Sequence, residues 1–329
     1  METWQLELRE GFRDMTSLLH FLEIPESLGR EFFDSHSEFP IRVPRTFAQR
    51  MEKGNPFDPL FLQIMPQLQE QHSPNEFKLD AVGDLEAVKS KGVIQKYKGR
   101  VLLLMTGTCA VHCRYCFRRH FPYFENSMIS AETMNEFLSQ LKNDPSIEEV
   151  IFSGGDPLLL TNNKLFEWAQ ALTQIPTIKR WRIHSRLVSV LPARIDAGLI
   201  EVLDFFQKDN RKTILVNHIN HPNEINEEVI EALVRLKKSE ITLLNQSVLL
   251  KEINNDVTTL KYLSTKLFQY GVLPYYLHLL DRTKGTHHFE VEEEKARALH
   301  AELLACLPGY LVPKLVREVQ GQPNKVLIL

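Results

Sequence analysis

The run TGTCAVHCRYCFRRHF carries three of the four cysteines of this 329-residue chain, Cys109, Cys113 and Cys116, at C-x3-C-x2-C spacing. Three thiolates in one loop can hold three irons of a four-iron cluster and leave the fourth iron open to a small molecule. The alternative is zinc, held by the same cysteines with His112 or His120. A zinc ribbon or finger normally brings its ligands in pairs from two knuckles, and here there is one, so the spacing favours the cluster. Cys306 stands alone in a helical pattern beside Leu303, Leu304 and Leu307, the setting of a buried structural thiol. So few cysteines, so clustered, exclude a disulfide scaffold.

Other residues able to do chemistry follow apolar, strand-like runs at 101–107, 148–155, 180–186, 212–220, 241–250 and 273–281. Cys109 comes after the first and Gly154-Gly155-Asp156 ends the second. Arg186 ends the third, His218 and Asn220 the fourth, and Asp281 the sixth. Helical patterns lie between the runs: AETMNEFLSQLKN, NEEVIEALVRLKK and DVTTLKYLSTKLFQYG. The last puts Leu260, Leu263 and Leu267 on one face and has Gly271 as its stop. This alternation predicts an α/β fold with parallel strands and right-handed crossovers, covered on both faces. Six βα units are too few for a closed eight-stranded barrel, so an open, partial (β/α)6 barrel is expected, with a doubly wound sheet as the alternative. In such a barrel the βα loops build the active site, and polar groups at this many strand ends favour an enzyme.

Residues 1–95 read as a helical N-terminal extension, with helical stretches Phe12 to Leu22 and Ser27 to Phe33 broken by FPIRVPRTF, GNPFDPLF and QEQHSPNEF. Residues 96–308 form the expected barrel core, and 309–329 a last strand (309–318) and tail. The balance of 39 basic and 42 acidic residues gives no reason to expect nucleic acid. No apolar run reaches the roughly 18 residues of a membrane helix, and METWQLELREGF has no apolar signal core, so a cytoplasmic protein is expected.

C-x3-C-x-aromatic-C, with Tyr115 as the aromatic, resembles the signature of radical S-adenosylmethionine enzymes, whose open iron chelates the methionine moiety. CRYCFRRHFPY, SGGDPLLL, RIHSR, VNHINHPNE, LNQSVLL, PYYLHLLD and GYLVPKLVRE together resemble the lysine 2,3-aminomutase branch, from about residue 90 to the C-terminus. Within that branch the similarity is greatest to the aminomutases that supply β-lysine for modifying elongation factor P. The resemblance implies a radical S-adenosylmethionine barrel, a [4Fe-4S] cluster on Cys109, Cys113 and Cys116, S-adenosylmethionine and pyridoxal phosphate. It also implies an amino shift from L-α-lysine to β-lysine, an electron donor such as flavodoxin or ferredoxin, and a functional link to the enzyme that lysylates elongation factor P.

Each remaining site residue has two readings. Ser153-Gly154-Gly155-Asp156 is a tight turn with Asp156 as a helix cap, or the element that contacts S-adenosylmethionine, with Gln246 nearby. Arg118 suits a carboxylate fork and, by resemblance, grips the substrate's α-carboxylate; Arg119 reads as a solvated basic face. Lys325 alone is an ordinary tail lysine, but by resemblance it forms the Schiff base with pyridoxal phosphate, a step that neighbouring cations would promote. Lys96 and Arg100 fall on positions that bind the cofactor phosphate. Asp281 and Glu318 fall on the two carboxylates that hold the substrate's distant ammonium, with Glu318 where lysine-metabolising relatives carry Asp. His184, Arg186, His218 and Asn220 are pocket residues without assigned roles. A metabolic aminomutase and a non-enzymatic zinc protein are the competing readings.

Overall fold

The computed structural model describes residues 2–26, 33–34, 37–126 and 131–329. Local chemistry starts the crossover helices: the side chains of Thr161, Asp196, Asn226 and Asp256 each accept a backbone N–H of the first turn of the helix that follows. Gly271, at φ +83°, ends the helix Val257–Gln269 as expected, and Leu260, Leu263 and Leu267 are its buried face.

Ten strands form one sheet in strict chain order: β1 (Val88–Ser90), β2 (Val93–Ile94), β3 (Arg100–Thr106), β4 (Glu149–Gly154), β5 (Arg180–Ser185), β6 (Lys212–Asn217), β7 (Thr242–Val248), β8 (Leu273–His278), β9 (Lys314–Arg317) and β10 (Val326–Leu327). β3 to β9 are parallel, while β1, β2 and β10 join through antiparallel pairings. A doubly wound sheet reverses its strand order midway; this one never does, so the doubly wound alternative falls and the sheet is a partial barrel. The expected last strand, β9, continues the parallel run beyond the six βα units.

Alternation along the strands divides the two faces. Phe152 and Trp181 pack edge-on against Trp168 and Phe206 of the covering helices. Their neighbours Ile151, Ser153, Arg182 and His184 line an internal cavity instead.

The described part of residues 1–95 packs on the barrel. Trp4, Leu18, Leu19, Phe47 and Phe61 belong to the same apolar core as the barrel helices, and β1 and β2 lie inside the expected extension. A helix at Thr3–Arg9 precedes the first expected one, which spans Met15–Phe21 rather than Phe12 to Leu22, because Phe12 bridges to Val43 and Asp14 caps the helix by accepting Ser17 N–H. The second expected helix, from Ser27, lies largely outside the described residues. At the other end the expected strand over 309–318 shrinks to β9, preceded by a helical turn at Gly309–Leu311 and by Pro313, which has no N–H to donate. Cys306 is exposed, not buried: it is the last residue of the helix Glu293–Cys306, whose inward face is Ala296, Leu299 and Leu303.

The glycine pair fixes the cysteine loop. Gly155 N–H donates to Thr106 O and Asp156 N–H to Thr108 O, so the turn after β4 lies directly on the backbone that leads into Cys109. A Cβ on Gly155 would stand 2.2 Å from Thr108 O, and one on Gly154, at φ +110°, 2.6 Å from Thr106 O. The close approach that the glycines permit is therefore to the cysteine loop itself. Gly155→Ala should displace that loop with the barrel intact. We expect reconstituted iron to fall severalfold while far-ultraviolet circular dichroism is unchanged; full iron loading would contradict this packing role.

Candidate active site

The strand ends converge because the parallel register aligns them: Thr106 opposite Gly154, Ser185 opposite Asn217, Asn217 opposite Asn245. Beside this edge and along the sheet's inner face lies a cavity of about 470 Å³, lined by residues from both margins of the sheet. Cys109, Cys113 and Cys116 open onto it together with Ser153, Gly154, Gly155, Asp156 and Gln246. All three cysteines are free thiols on one loop. Burial raises Cys109 and takes Cys116 to about 11, a bias that a bound metal would reverse by favouring thiolate.

Three thiolates on one loop are the donor set of a four-iron cluster. Zinc would need a fourth ligand beside them. A cluster instead asks each thiolate to bind a different iron. His112 Nδ1 bonds Pro40 O at 2.8 Å and His120 Nε2 bonds Lys284 O at 3.0 Å, contacts to one ring nitrogen of each.

Asp156 lines the cavity, but its carboxylate is engaged by protein donors. It accepts from Leu158 N–H as a cap, from Ser185 Oγ at 2.8 Å and from Arg186 N–H at 2.8 Å, and burial takes its pKa to about 6. It therefore ties the loops after β4 and β5 together.

Across the cavity runs a chain of alternating charges. Lys325 Nζ donates to Glu318 Oε2 at 2.5 Å, and Lys96 Nζ to Glu318 Oε1 at 2.9 Å. Lys96 Nζ also lies 2.6 Å from Asp84 Oδ1, whose second oxygen accepts from Arg118 Nε at 2.5 Å. Arg118 Nη1 donates onward to Ser153 Oγ at 3.1 Å. Burial opposes ionisation of both carboxylates, yet their cationic partners hold Asp84 and Glu318 below the usual carboxylate range. β10 puts Lys325 there: Val326 pairs with Arg317, and Ile328 N–H donates to Leu315 O with the Ile328 side chain buried.

Several expectations change in consequence. Lys325 is a cavity residue rather than a free tail lysine, and its nearest charged partner is a carboxylate, not a cation. Lys96 spends its three donors on Val82 O, Asp84 and Glu318, which leaves Arg100, stacked on Tyr97 at 4.6 Å, as the cation of the expected phosphate pair without a carboxylate partner among the described residues. Arg119 is not a solvated face: it bonds Glu70, Arg114 O and Gly285 O. Glu318 is already shared by two lysines, whereas Asp281 faces the cavity with no side-chain donor among the described residues. Burial and the charge of Glu318 raise Asp281 to about 7.

Asp84 was missed from sequence. It sits in an aperiodic stretch, DAVGDLEAV, with no neighbouring signal, and only the fold brings it between Lys96 and Arg118. His184 and His278 also line the cavity, and burial holds both far below the ordinary histidine pKa, so both are neutral.

Residues 103–263 match the Radical SAM superfamily. L-lysine 2,3-aminomutase of Escherichia coli strain K12 is 45% identical over 98% of this chain and 94% of its own length, and that of Haemophilus influenzae is 43% identical over 99% and 95%. L-lysine 2,3-aminomutase of Clostridium subterminale is 28% identical over 99% of this chain and 77% of its own length. A cysteine loop set against a glycine turn at the strand ends, a cationic cavity behind it and this end-to-end similarity agree: the chain belongs to the L-lysine 2,3-aminomutase family of the radical SAM superfamily.

Proposed function

We propose that this enzyme converts L-lysine to β-lysine by moving the α-amino group to the adjacent carbon, using pyridoxal phosphate in addition to its cluster and S-adenosylmethionine. The observation that carries the reading is Lys325, a primary amine held inside the same cavity as the three cysteines. Its surroundings fit an anionic aromatic aldehyde: Lys325 Nζ lies 6.0 Å from the centre of the Tyr276 ring, and Arg100 and Tyr97 line the same wall. Bound there, the cluster with S-adenosylmethionine supplies one-electron hydrogen removal, and pyridoxal phosphate supplies a conjugated system for the migrating nitrogen.

The chain's own residues do the positioning. Arg118 presents its fork to the α-carboxylate and is itself oriented by Asp84 and Ser153. Asp281 takes the distal ammonium, a group that would release it from the repulsion of Glu318. Glutamate is disfavoured, because its side-chain carboxylate would meet Asp281 and Glu318.

We infer further that the β-lysine serves modification of elongation factor P, in the cytoplasm, with a flavodoxin or ferredoxin as reductant. Glu318 in place of Asp supports this, as does greater identity to relatives of near-equal length than to the longer clostridial protein. Disrupting the gene should remove the lysyl mass from elongation factor P; an unchanged mass would favour a metabolic role.

Lys325→Ala should abolish lysine-dependent turnover in an anaerobic assay while the cluster's visible absorbance remains; loss of the absorbance would refute the role given to Lys325. A second outcome concerns pH. Binding a cation needs ionised Asp281, and its pKa of about 7 means that this form shrinks about tenfold per unit below neutrality. KM for lysine should therefore rise as pH falls from 7.5 to 5.5. Asp281→Asn should raise KM about tenfold or more and flatten that limb; a variant retaining the wild-type pH profile would exclude Asp281 as the ammonium's partner.

A further inference from the structure

One buried cation is aimed at the cluster loop rather than at the substrate. Arg186 follows β5 and is buried, its backbone N–H fixed by Asp156. Its Nη1 donates to Cys113 Sγ and to Tyr115 Oη, both at 2.7 Å. Its Nη2 donates to Gln63 Oε1 at 2.7 Å and to Glu224 Oε2 at 3.2 Å.

The surrounding groups leave the guanidinium little choice of position. Tyr115 Oη also donates to Gln63 Oε1, receives Asn220 Nδ2 at 2.7 Å and shares a hydrogen bond with His218 Nε2 at 2.9 Å. Glu224 is fixed in turn by Asn220 N–H, His221 N–H and Ser189 Oγ. The guanidinium carbon lies 5.3 Å from the centre of the Phe47 ring and 5.8 Å from that of Tyr115. Gln63 and Phe47 come from the N-terminal ninety residues, so this segment closes the far side of the arrangement.

We propose that Arg186 is a positioning residue for the cluster: it holds the sulfur of Cys113 with a charged N–H donor and thereby sets the reduction potential of the iron–sulfur centre, with Glu224 as its counter-charge. A donor and a positive charge at a ligand sulfur stabilise the reduced, more negative cluster, and the hydrogen bonding and charge around the sulfurs are what tune such centres. Glu224 works in the opposite sense by compensating the guanidinium.

The test uses the full-length protein, reconstituted anaerobically with iron and sulfide and titrated with a mediated reductant in the absence of S-adenosylmethionine. The midpoint potential and the electron paramagnetic resonance spectrum of the reduced cluster are read for wild type, Arg186→Gln, Arg186→Lys and Glu224→Gln. Arg186→Gln should lose about tenfold in the equilibrium constant for one-electron reduction, which is about 59 mV more negative. Arg186→Lys should recover part of the shift, and Glu224→Gln should move the potential the other way.

If Arg186→Gln fails to assemble a cluster, the opposite shifts in the Lys and Glu224 variants still decide the matter. Potentials unchanged across the assembled variants would overturn the proposal. S-adenosylmethionine affinity is measured separately by equilibrium dialysis. An unchanged potential with weakened S-adenosylmethionine binding would overturn the proposal too, and would make Arg186 a ligand of S-adenosylmethionine instead.

Discussion

Glu318 is the one carboxylate that both margins of the sheet need. The barrel is open, and its first and last strands share no backbone hydrogen bonds among the described residues. Side chains join them instead, through Lys325, Glu318, Lys96, Asp84 and Arg118 in an unbroken alternation of sign. Five mostly buried charges are costly to desolvate, and they are tolerable because each has an opposite charge beside it. Removing Glu318 or Asp84 leaves an end cation, Lys325 or Arg118, without its carboxylate, so the two carboxylates hold the chain together. With three cations and two carboxylates it keeps one positive charge in excess, and Asp281 faces the same cavity.

A second polar system, on the other side of the cavity, organises the iron–sulfur loop. Asp156 fastens the turn after β4 to Ser185 and Arg186, and Arg186 then reaches Cys113 and Glu224. The two systems meet at the turn after β4, where Ser153 receives Arg118 and Gly155 lies on the cysteine loop. Arg118 and the cysteine loop are thereby held to the same segment of backbone.

How much of this could be read in advance depended on whether a residue's role is local. The strands, the crossover helices and the cysteine loop are set by periodicity and spacing along the chain, and these were legible. So was the glycine turn, although the partner it approaches was not. Lys325 has no local signature and was found only by resemblance; its place depends on the two residues of β10. Asp84 and Glu224 could not be singled out, because burial between cations is a property of the folded chain alone. Arg119 and Cys306 misled for opposite reasons: a basic pair looked like surface but met Glu70, and an apolar helical pattern ended one turn before it could bury its cysteine.

We propose that one cavity holds both a radical-generating site and the pyridoxal phosphate to which the migrating nitrogen is bound. The most direct measurement follows L-lysine labelled with nitrogen-15 at the α-position through anaerobic turnover, with the product read by nuclear magnetic resonance. The account requires β-lysine whose label sits on C3, formed only when S-adenosylmethionine, pyridoxal phosphate and reductant are present together. Label remaining on C2, or lost to solvent as ammonia, would contradict it.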